Sequence, residues 1–368
     1  MTKAARLRVT LLSPFHGGSH AAWAAGLAQH SAHDLDIRGL PARFWRWRME
    51  GAAHTLAADL DAAPVPDLLV ATDMLDLATL LGLTRRRLAT VPVVLYMHEN
   101  QLTYPVQGRG DRNQDRHCGL INLNAMVAAD LVVFNSAFHL EAWFEALPEF
   151  LARFPERHAV DVEALRTKCE VLGVGIETTD LSMTDGPRAP LVVWNQRWEH
   201  DKNPDDLMRV LCGVAERGVS FQLALCGEQA GGVPPALSRG IEMLGDRVVH
   251  QGHLARTEYT DLLGQARVVI STANHEFFGI SVLEAACSGA HPLLPQRLSY
   301  PELFAEAAAE CLYADLDDAI ERLSGLLADP DPTRSVATSV AVSLRKRFGW
   351  SRLGPVYDRL FERVVASG

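Results

Sequence analysis

Residues 268–285 read Val268-Val269-Ile270-Ser271-Thr272-Ala273-Asn274-His275-Glu276-Phe277-Phe278-Gly279-Ile280-Ser281-Val282-Leu283-Glu284-Ala285. The β-branched run at the start has no polar alternation, which predicts a strand over 268–271 buried on both faces. Apolar spacing after Gly279 predicts a helix over 279–288, with Glu276 in the loop before it and Glu284 in its second turn. Strand, short polar loop and helix in succession are the repeating piece of a parallel sheet covered on both sides. The first amides of a helix have no partner inside it. The N–H groups of Phe278, Gly279 and Ile280 should therefore face outward as an anion site, with Gly279 allowing close approach to backbone.

The same alternation extends in both directions. Upstream, 191–195, 221–226 and 248–251 read as strands and 204–217 and 257–266 as helices; downstream, 292–294 reads as another strand. The first half repeats the pattern, with strands at 8–12, 34–39, 68–71, 93–97, 131–135 and 170–172 and helices at 19–30, 118–129 and 136–151. A chain of 368 residues exceeds what one core usually serves. The expectation is an α/β protein of two Rossmann-like doubly wound domains, 1–180 and 190–345. A Pro/Gly/Thr/Asp linker at 175–190 would join them. Closing helices over 334–364 would end the chain, the last being a C-terminal helix over 346–368, with Trp350 and Tyr357 anchoring them on either domain. Open sheets of this kind bind ligands beyond the carboxyl ends of their strands, so two of them would face across one cleft.

Three further clusters follow predicted strands. Asn195-Gln196-Arg197-Trp198-Glu199-His200-Asp201-Lys202-Asn203-Pro204 offers a planar guanidinium and a point charge, Arg197 and Lys202, that suit charge developing on a departing phosphate. Two surface cations in a turn are the plainer reading of that segment taken alone. Carboxylates accept hydrogen bonds from sugar and ribose hydroxyls, so Glu276 and Glu284 on either side of a phosphate-binding helix start suit a sugar nucleotide. The plainer reading is one exposed carboxylate and one salt-bridge partner.

Phe15-His16-Gly17-Gly18-Ser19-His20 places two glycines at the first strand-to-helix turn, where backbone can approach phosphate or sugar. It is not a Gly-x-Gly-x-x-Gly fingerprint, which counts against a dehydrogenase. His98-Glu99-Asn100-Gln101-Leu102-Thr103-Tyr104-Pro105 sets polar residues directly after an apolar strand, where they either line a site or cap a turn. His98 or Glu99 could move a proton or hold a hydroxyl. His16 and His20 lack a nearby third ligand, and Asp-x-Asp pairs such as Asp34/Asp36 and Asp59/Asp61 lie in acidic surface contexts. No metal site is expected.

The net charge of −10 argues against indiscriminate nucleic-acid binding, but its distribution is uneven. Residues 1–120 carry 13 Lys and Arg against 11 Asp and Glu; the remainder carries 22 against 34. A polyanion would meet the first third, at Arg43, Arg46 and Arg48 or at Arg109, Arg112 and Arg116. Arg85 to Arg87 read as solvated surface. Phe44, Trp45 and Trp47 alternate with arginines, a composition that stacks on unpaired bases and pairs with phosphates; alternatively Phe44 and Trp47 are helix core. Six scattered cysteines without a Cys-x-x-Cys pair suggest reduced thiols and a cytoplasmic protein. No apolar run is long enough to span a membrane or form a signal-peptide core.

On Arg197, Lys202 and Glu276-x7-Glu284 the chain resembles glycosyltransferase family 4. That resemblance implies a GT-B architecture, retention of anomeric configuration and no required metal or cofactor beyond a nucleotide-diphosphate sugar donor. Arg197 and Lys202 would meet the diphosphate. Glu276 with the Phe278–Ile280 amides would hold the sugar, Glu284 the ribose, and His98 would stand near the donor sugar. A closer resemblance runs through 15–20, 44–48, 98–106, 132–136, 197–203, 275–285 and 300–304 to the tRNA-queuosine α-mannosyltransferases. It implies transfer of mannose from GDP-mannose to the cyclopentenediol of queuosine at the tRNA wobble position. On this reading donor contacts add Gly17 and Gly18, and acceptor contacts are His20, Arg46, Arg48, Glu99, Asn100, Gln101, Tyr104 and Arg112. Three alternatives stay open: a GT-B transferase acting on a glycan, lipid or small metabolite, a sugar-nucleotide epimerase or hydrolase, and an inactive RNA-binding module.

Overall fold

The computed structural model describes residues 6–105, 112–155, 160–183, 186, 188–227, 232–328 and 330–367, with backbone alone at 112–115 and 330–333. The chain forms two compact units, Met1–Gly175 with Trp350–Gly368, and Ile176–Gly349.

The first unit holds a six-stranded, wholly parallel sheet: β1 Arg8–His16, β2 Asp34–Pro41, β3 Leu68–Thr72, β4 Val93–Met97, β5 Leu131–Phe134 and β6 Cys169–Val171. Its order is β2-β1-β3-β4-β5-β6. Strands β3, β4 and β5 are buried at every residue, as expected of strands with helices on both faces. Those helices are α1 Gly18–His30, α2 Trp45–Ala62, α3 Leu77–Leu88, α4 Arg112–Ala128, α5 Ala137–Leu151 and α6 Val162–Thr167. Asp76, Ser136 and Asp161 cap α3, α5 and α6 by accepting from the amide three residues on, which starts each helix where the side-chain chemistry dictates.

The second unit repeats the plan with β7 Leu191–Trp194, β8 Gln222–Cys226, β9 Val248–Gly252, β10 Val268–Ile270, β11 His291–Pro295 and β12 Leu312–Tyr313, ordered β12-β11-β10-β7-β8-β9. Its helices are α7 Pro204–Glu216, α8 Pro235–Leu244, α9 Arg256–Gln265, α10 Ile280–Cys287, α11 Tyr300–Leu303, α12 Ala308–Cys311, α13 Leu316–Ala328 and α14 Pro330–Phe348. In each sheet the chain steps outward from its first strand and then reverses to that strand's other side. The reversal lies between β1 and β3 in one unit and between β7 and β10 in the other. The loops leaving two such strands part in opposite directions and leave a crevice between them.

Three expectations need correction. The closing helices expected over 334–364 are divided between the units: α14 runs from Pro330 to Phe348 in the second unit, and α15 Trp350–Ser367, which carries Trp350 and Tyr357, belongs to the first. Between them Gly349 leaves no room for a side chain, since a Cβ would stand 2.6 Å from the Arg345 carbonyl oxygen. The stretch 175–190 is not a free linker. Ile176 and Leu181 are buried, and Arg188 donates to the carbonyls of Ala266 and Ser288. Arg87 is not merely solvated, because its guanidinium caps the end of α2 by donating to the carbonyls of Leu60, Asp61 and Ala63.

Helix α15 is seated on the first unit by Trp350, which is buried against two glycines. A Cβ on Gly26 of α1 would fall 2.2 Å from the indole Nε1, and one on Gly175 2.3 Å from its Cδ2. The Trp23 indole donates to the Tyr357 hydroxyl at 3.1 Å, and Asp358 accepts from Ser31 and from the Ala32 amide. Gly26→Ala should therefore lose about 1–3 kcal/mol from overpacking, exceeding the ~1 kcal/mol by which alanine favours a helix. Urea unfolding measures this, and a variant as stable as the parent would refute the tight seat.

Candidate active site

At the crevice of the first unit, four strand ends contribute. His16 ends β1 and Gly17 follows it, Asp73 follows β3, His98 follows β4 and Asn135 follows β5. The His98 main chain is held on both sides: its N–H donates to Asp73 Oδ1 at 2.8 Å, and its carbonyl accepts from Asn135 Nδ2 at 2.9 Å. Asn122 of α4 donates to the Asp73 carbonyl and accepts from the Gln101 amide, and Asn135 Oδ1 meets the His139 ring at 2.9 Å.

The His98 ring sits edge-on to Trp23 and Tyr96, with the His20 ring centroid 4.3 Å away. Burial, with His20 and His139 adding to it, holds His98 well below the ordinary histidine range, so it is neutral at pH 7. Its Nε2 is buried without a hydrogen-bond partner. A neutral imidazole nitrogen in that state suits a ligand hydroxyl.

The loop after β4 separates into residues that build and residues that face out. Asn100, expected to contact the acceptor, is fully buried, and its Oδ1 accepts from the amides of Leu102 and Thr103. It makes the turn, as asparagine does where a side-chain oxygen replaces a backbone acceptor. Gln101 is also buried and donates to Glu99 Oε1 at 3.2 Å, steadying that carboxylate. Glu99 and Tyr104 remain half-buried.

Gly18 has φ 50° with open space where a Cβ would be, whereas a Cβ on Gly17 would strike Ala42 at 2.4 Å. Gly17 is thus required by packing within its own unit. Gly18 is the position that keeps backbone open. Arg109 lies outside the described residues, as does the side chain of Arg112; Arg116 is exposed.

In the second unit the crevice between β7 and β10 is bridged by one ammonium group. Lys202 Nζ lies 3.1 Å from Asp201 Oδ2 and 3.2 Å from Glu276 Oε2, and donates to the His275 carbonyl at 2.8 Å. The Asp201 carbonyl in turn accepts from the amides of Asn274 and His275. Burial pulls Lys202 down, but Glu276 and Asp201 outweigh it and the balance is upward, so the side chain stays charged. Burial, with Lys202 beside it, lowers His275 to about 4 and keeps it neutral.

Arg197 is half exposed, with Nη1 3.4 Å from Glu199, whereas Lys202 is buried. Gly279 has φ 89° and caps the start of α10; a Cβ there would lie 3.2 Å from the Tyr300 ring. Only glycine adopts that conformation without strain. Glu284, one helix turn beyond, bonds Arg256 Nη1 at 2.5 Å and the Tyr259 hydroxyl at 3.2 Å. Burial raises its pKa while Arg256 and Tyr259 pull it down. Both carboxylate oxygens keep a further lone pair for a ligand hydroxyl.

With this geometry in place, comparison with known proteins decides the lineage. Residues 8–176 match the family described as tRNA-queuosine alpha-mannosyltransferase N-terminal, and residues 186–339 match glycosyl transferases group 1. A curated tRNA-queuosine alpha-mannosyltransferase of Drosophila melanogaster is 34% identical over 376 residues, covering 98% of both chains. The chain belongs to the tRNA-queuosine α-mannosyltransferase family. It is a glycosyltransferase with the GT-B fold. Sucrose-phosphate synthase of Thermosynechococcus elongatus superposes with a TM-score of 0.74 at 14% identity, covering 99% of this chain and 100% of that one. HepE of Anabaena with UDP and glucose gives 0.68 at 14% identity, over 99% and 100%. At such identities these two show the fold alone.

For this family member the sequence had marked His98, Lys202, Glu276 and Glu284; the structure puts His98 just after β4, Lys202 and Glu276 in the loops that follow β7 and β10, and Glu284 in the second turn of α10. It also adds residues that motif reading passed over. Asp73, Asn122, Asn135 and His139 hold the His98 loop, and Asp201, Arg256 and Tyr259 brace the charges of the second unit. Asp73 had a detectable signal, since it stands two positions after the apolar run 68–71, at a strand's carboxyl end.

Burial first, then Glu99, raises the Asp73 pKa well above the carboxylate range. The folded state therefore holds this proton where the unfolded chain has lost it. Stability is fully present below the ordinary carboxylate pKa and declines as pH rises toward the raised value. Asp73→Asn keeps an acceptor for the His98 amide and should flatten that decline. Asp73→Ala leaves the amide buried without an acceptor and should cost about 1–3 kcal/mol. Unfolding curves from pH 4 to 9 test this; equal pH dependence in parent and Asp73→Asn would overturn it.

Proposed function

We propose that this glycosyltransferase moves mannose from GDP-mannose to the cyclopentenediol of queuosine at the wobble position of tRNA, with retention of configuration and without a required metal, in the cytoplasm. The observation that carries the reading is that 34% identity to the fly enzyme runs through 98% of both chains. One relative then spans both the donor-side and the acceptor-side unit. Among the described residues no helix is long and apolar enough to cross a membrane.

On this reading the second unit takes the nucleotide sugar. Departure of the nucleoside diphosphate develops negative charge on phosphate oxygens, which Lys202, already charged and fixed, and Arg197, turning from Glu199, neutralise without reorganising solvent. Glu276 and the amides of Phe278, Gly279 and Ile280 hold the hexose, and Glu284 accepts from the ribose. The first unit takes the acceptor. Gly18 leaves backbone open to polar groups of a ligand, His98 Nε2 meets a hydroxyl, and His20, Glu99, Gln101 and Tyr104 surround the diol. Arg46, Arg48 and Arg112 meet tRNA phosphates, consistent with the basic balance of residues 1–120 against the acidic remainder.

Incubating the full chain with queuosine-containing tRNA and a panel of sugar nucleotides, then weighing the wobble nucleosides, tests the whole reading. The expected product is hexosylated queuosine with GDP-mannose. Transfer at the same rate to tRNA lacking queuosine would overturn the acceptor, and preference for another nucleotide sugar would overturn the donor.

The two glutamates should separate kinetically. Glu276→Gln should lower kcat by about 10²–10³, the range for one lost transition-state contact, with little change in nucleotide affinity. Glu284→Gln should mainly weaken nucleotide binding. The opposite split, with Glu276→Gln turning over normally but failing to bind nucleotide, would show the roles reversed.

A further inference from the structure

We propose that Phe44 and Trp47 form a stacking platform for unpaired bases of the RNA acceptor, a proposal that rests on the tRNA reading above and names the surface that reads its loop. Among the described residues these are the only Phe, Tyr or Trp side chains on the surface, Phe44 at 74% exposure and Trp47 at 61%. The alternative that they belong to the helix core fails. Trp45 turns inward instead, packing with Met49, Met74, Cys118 and Ile121. On a helix, Trp47 two residues on then points outward.

Two local features hold these rings where they are, each against ordinary preference. Phe44 is the N-cap of α2 but supplies no capping hydrogen bond, and its φ of 56° and ψ of 54° lie in the left-handed region. Serine or aspartate would cap there, and glycine or asparagine would fit the backbone. A bulky aromatic at such a position costs of order 1–3 kcal/mol, and strain of that kind concentrates at functional surfaces.

The second feature is Gly51, inside α2 one turn beyond Trp47. A Cβ there would come within 2.6 Å of the Trp47 indole, so the ring rests on helix backbone where a side chain would otherwise stand. Glycine inside a helix costs about 1 kcal/mol relative to alanine. Here it gives an exposed indole a fixed seat.

The surrounding charge selects the occupant. Arg43, Arg46 and Arg48 lie within five residues of one another, and the first acidic residue after them, Glu50, lies 3.8 Å from His117. Arg48 spends one N–H on the Pro41 carbonyl, and the Arg46 guanidinium lies 4.6 Å from the Trp45 ring centroid. Fixed flat rings among cations match single-stranded nucleic acid, whose bases stack on aromatics while its phosphates pair with arginine. Two rings are too small an apolar surface for the broad face that a lipid bilayer takes up.

The test is binding of full-length queuosine-containing tRNA to the full chain, across a salt series, with circular dichroism confirming the fold. Phe44→Ala and Trp47→Ala should each weaken binding by roughly 5- to 100-fold, with the slope of log K against log salt unchanged. Phe44→Tyr and Trp47→Phe, which keep a ring, should recover most of the loss. Arg46→Ala should instead lower the slope by about 0.7–0.9. Gly51→Ala should strengthen the helix yet weaken tRNA binding by displacing the indole, a combination that a purely structural role for Trp47 does not produce. Unchanged affinity in the Phe44→Ala/Trp47→Ala double variant, with Arg46→Ala still weakening binding, overturns the platform and leaves the tRNA reading standing. Ring-dependent binding to phosphatidylserine vesicles with tRNA affinity unaffected overturns it in favour of a membrane. If the parent chain binds no tRNA, the failure is that of the proposed function itself.

Discussion

A wholly parallel sheet carries a constraint that everything else in this protein follows. Every strand ends on the same side, every return crossing needs a covering helix, and the loops at the carboxyl ends are the ones left over for chemistry. In both units the chain reverses once across its first strand, between β1 and β3 and between β7 and β10. The residues with chemical character gather at those two places. Gly18, Asp73 and His98 lie at or beside one; Lys202, Glu276 and Gly279 lie at the other.

The two crevices use opposite electrostatics. In the first unit, burial removes charge: His98 is held neutral, and the Asp73 carboxyl is pushed toward its protonated form. Such surroundings offer orientated lone pairs and ring faces, which suit an uncharged hydroxyl better than an ion. In the second unit, burial is countered by pairing, and Lys202 stays cationic between Asp201 and Glu276. A buried ion pair of this kind is weak evidence for stability. Its value is positional, because the same ammonium that can meet an anion also fixes the loop bearing Glu276.

How much of this was legible varies with the physical signal. Strands such as 93–97 and 191–195 were plain because unbroken apolar runs bounded by polar residues have few other readings. Helix α2 entered only as an alternative for Phe44 and Trp47, because its inward face is Met49, Ala52, Ala53, Leu56, Ala57 and Leu60, and alanine gives little hydrophobic contrast. Helix α3 is leucine-rich on several sides and ends in three arginines, which reads as surface charge until Arg87 is found capping a neighbouring helix. Asn100 was read as a ligand contact; in the structure its Oδ1 is taken up by the turn and its buried Nδ2 is left over, a division within one side chain that no motif shows.

By itself the sequence determined the class of fold, the duplication into two α/β units, and the residue types able to bind a nucleotide sugar. Those follow from periodicity, from glycine at a helix start and from carboxylate and cation chemistry, all of which are local. Only the tertiary structure decided which groups meet. Asp73 lies 25 positions from His98 and Lys202 lies 74 from Glu276, and nothing local specifies either contact. The tertiary structure also decided which residues serve packing, since burial is a property of the assembled layers. Gly17 against Ala42 and Gly26 against Trp350 answer to packing and Asn100 Oδ1 to its own turn, while Phe44 and Trp47 stay outside because α2 turns its other face to the sheet.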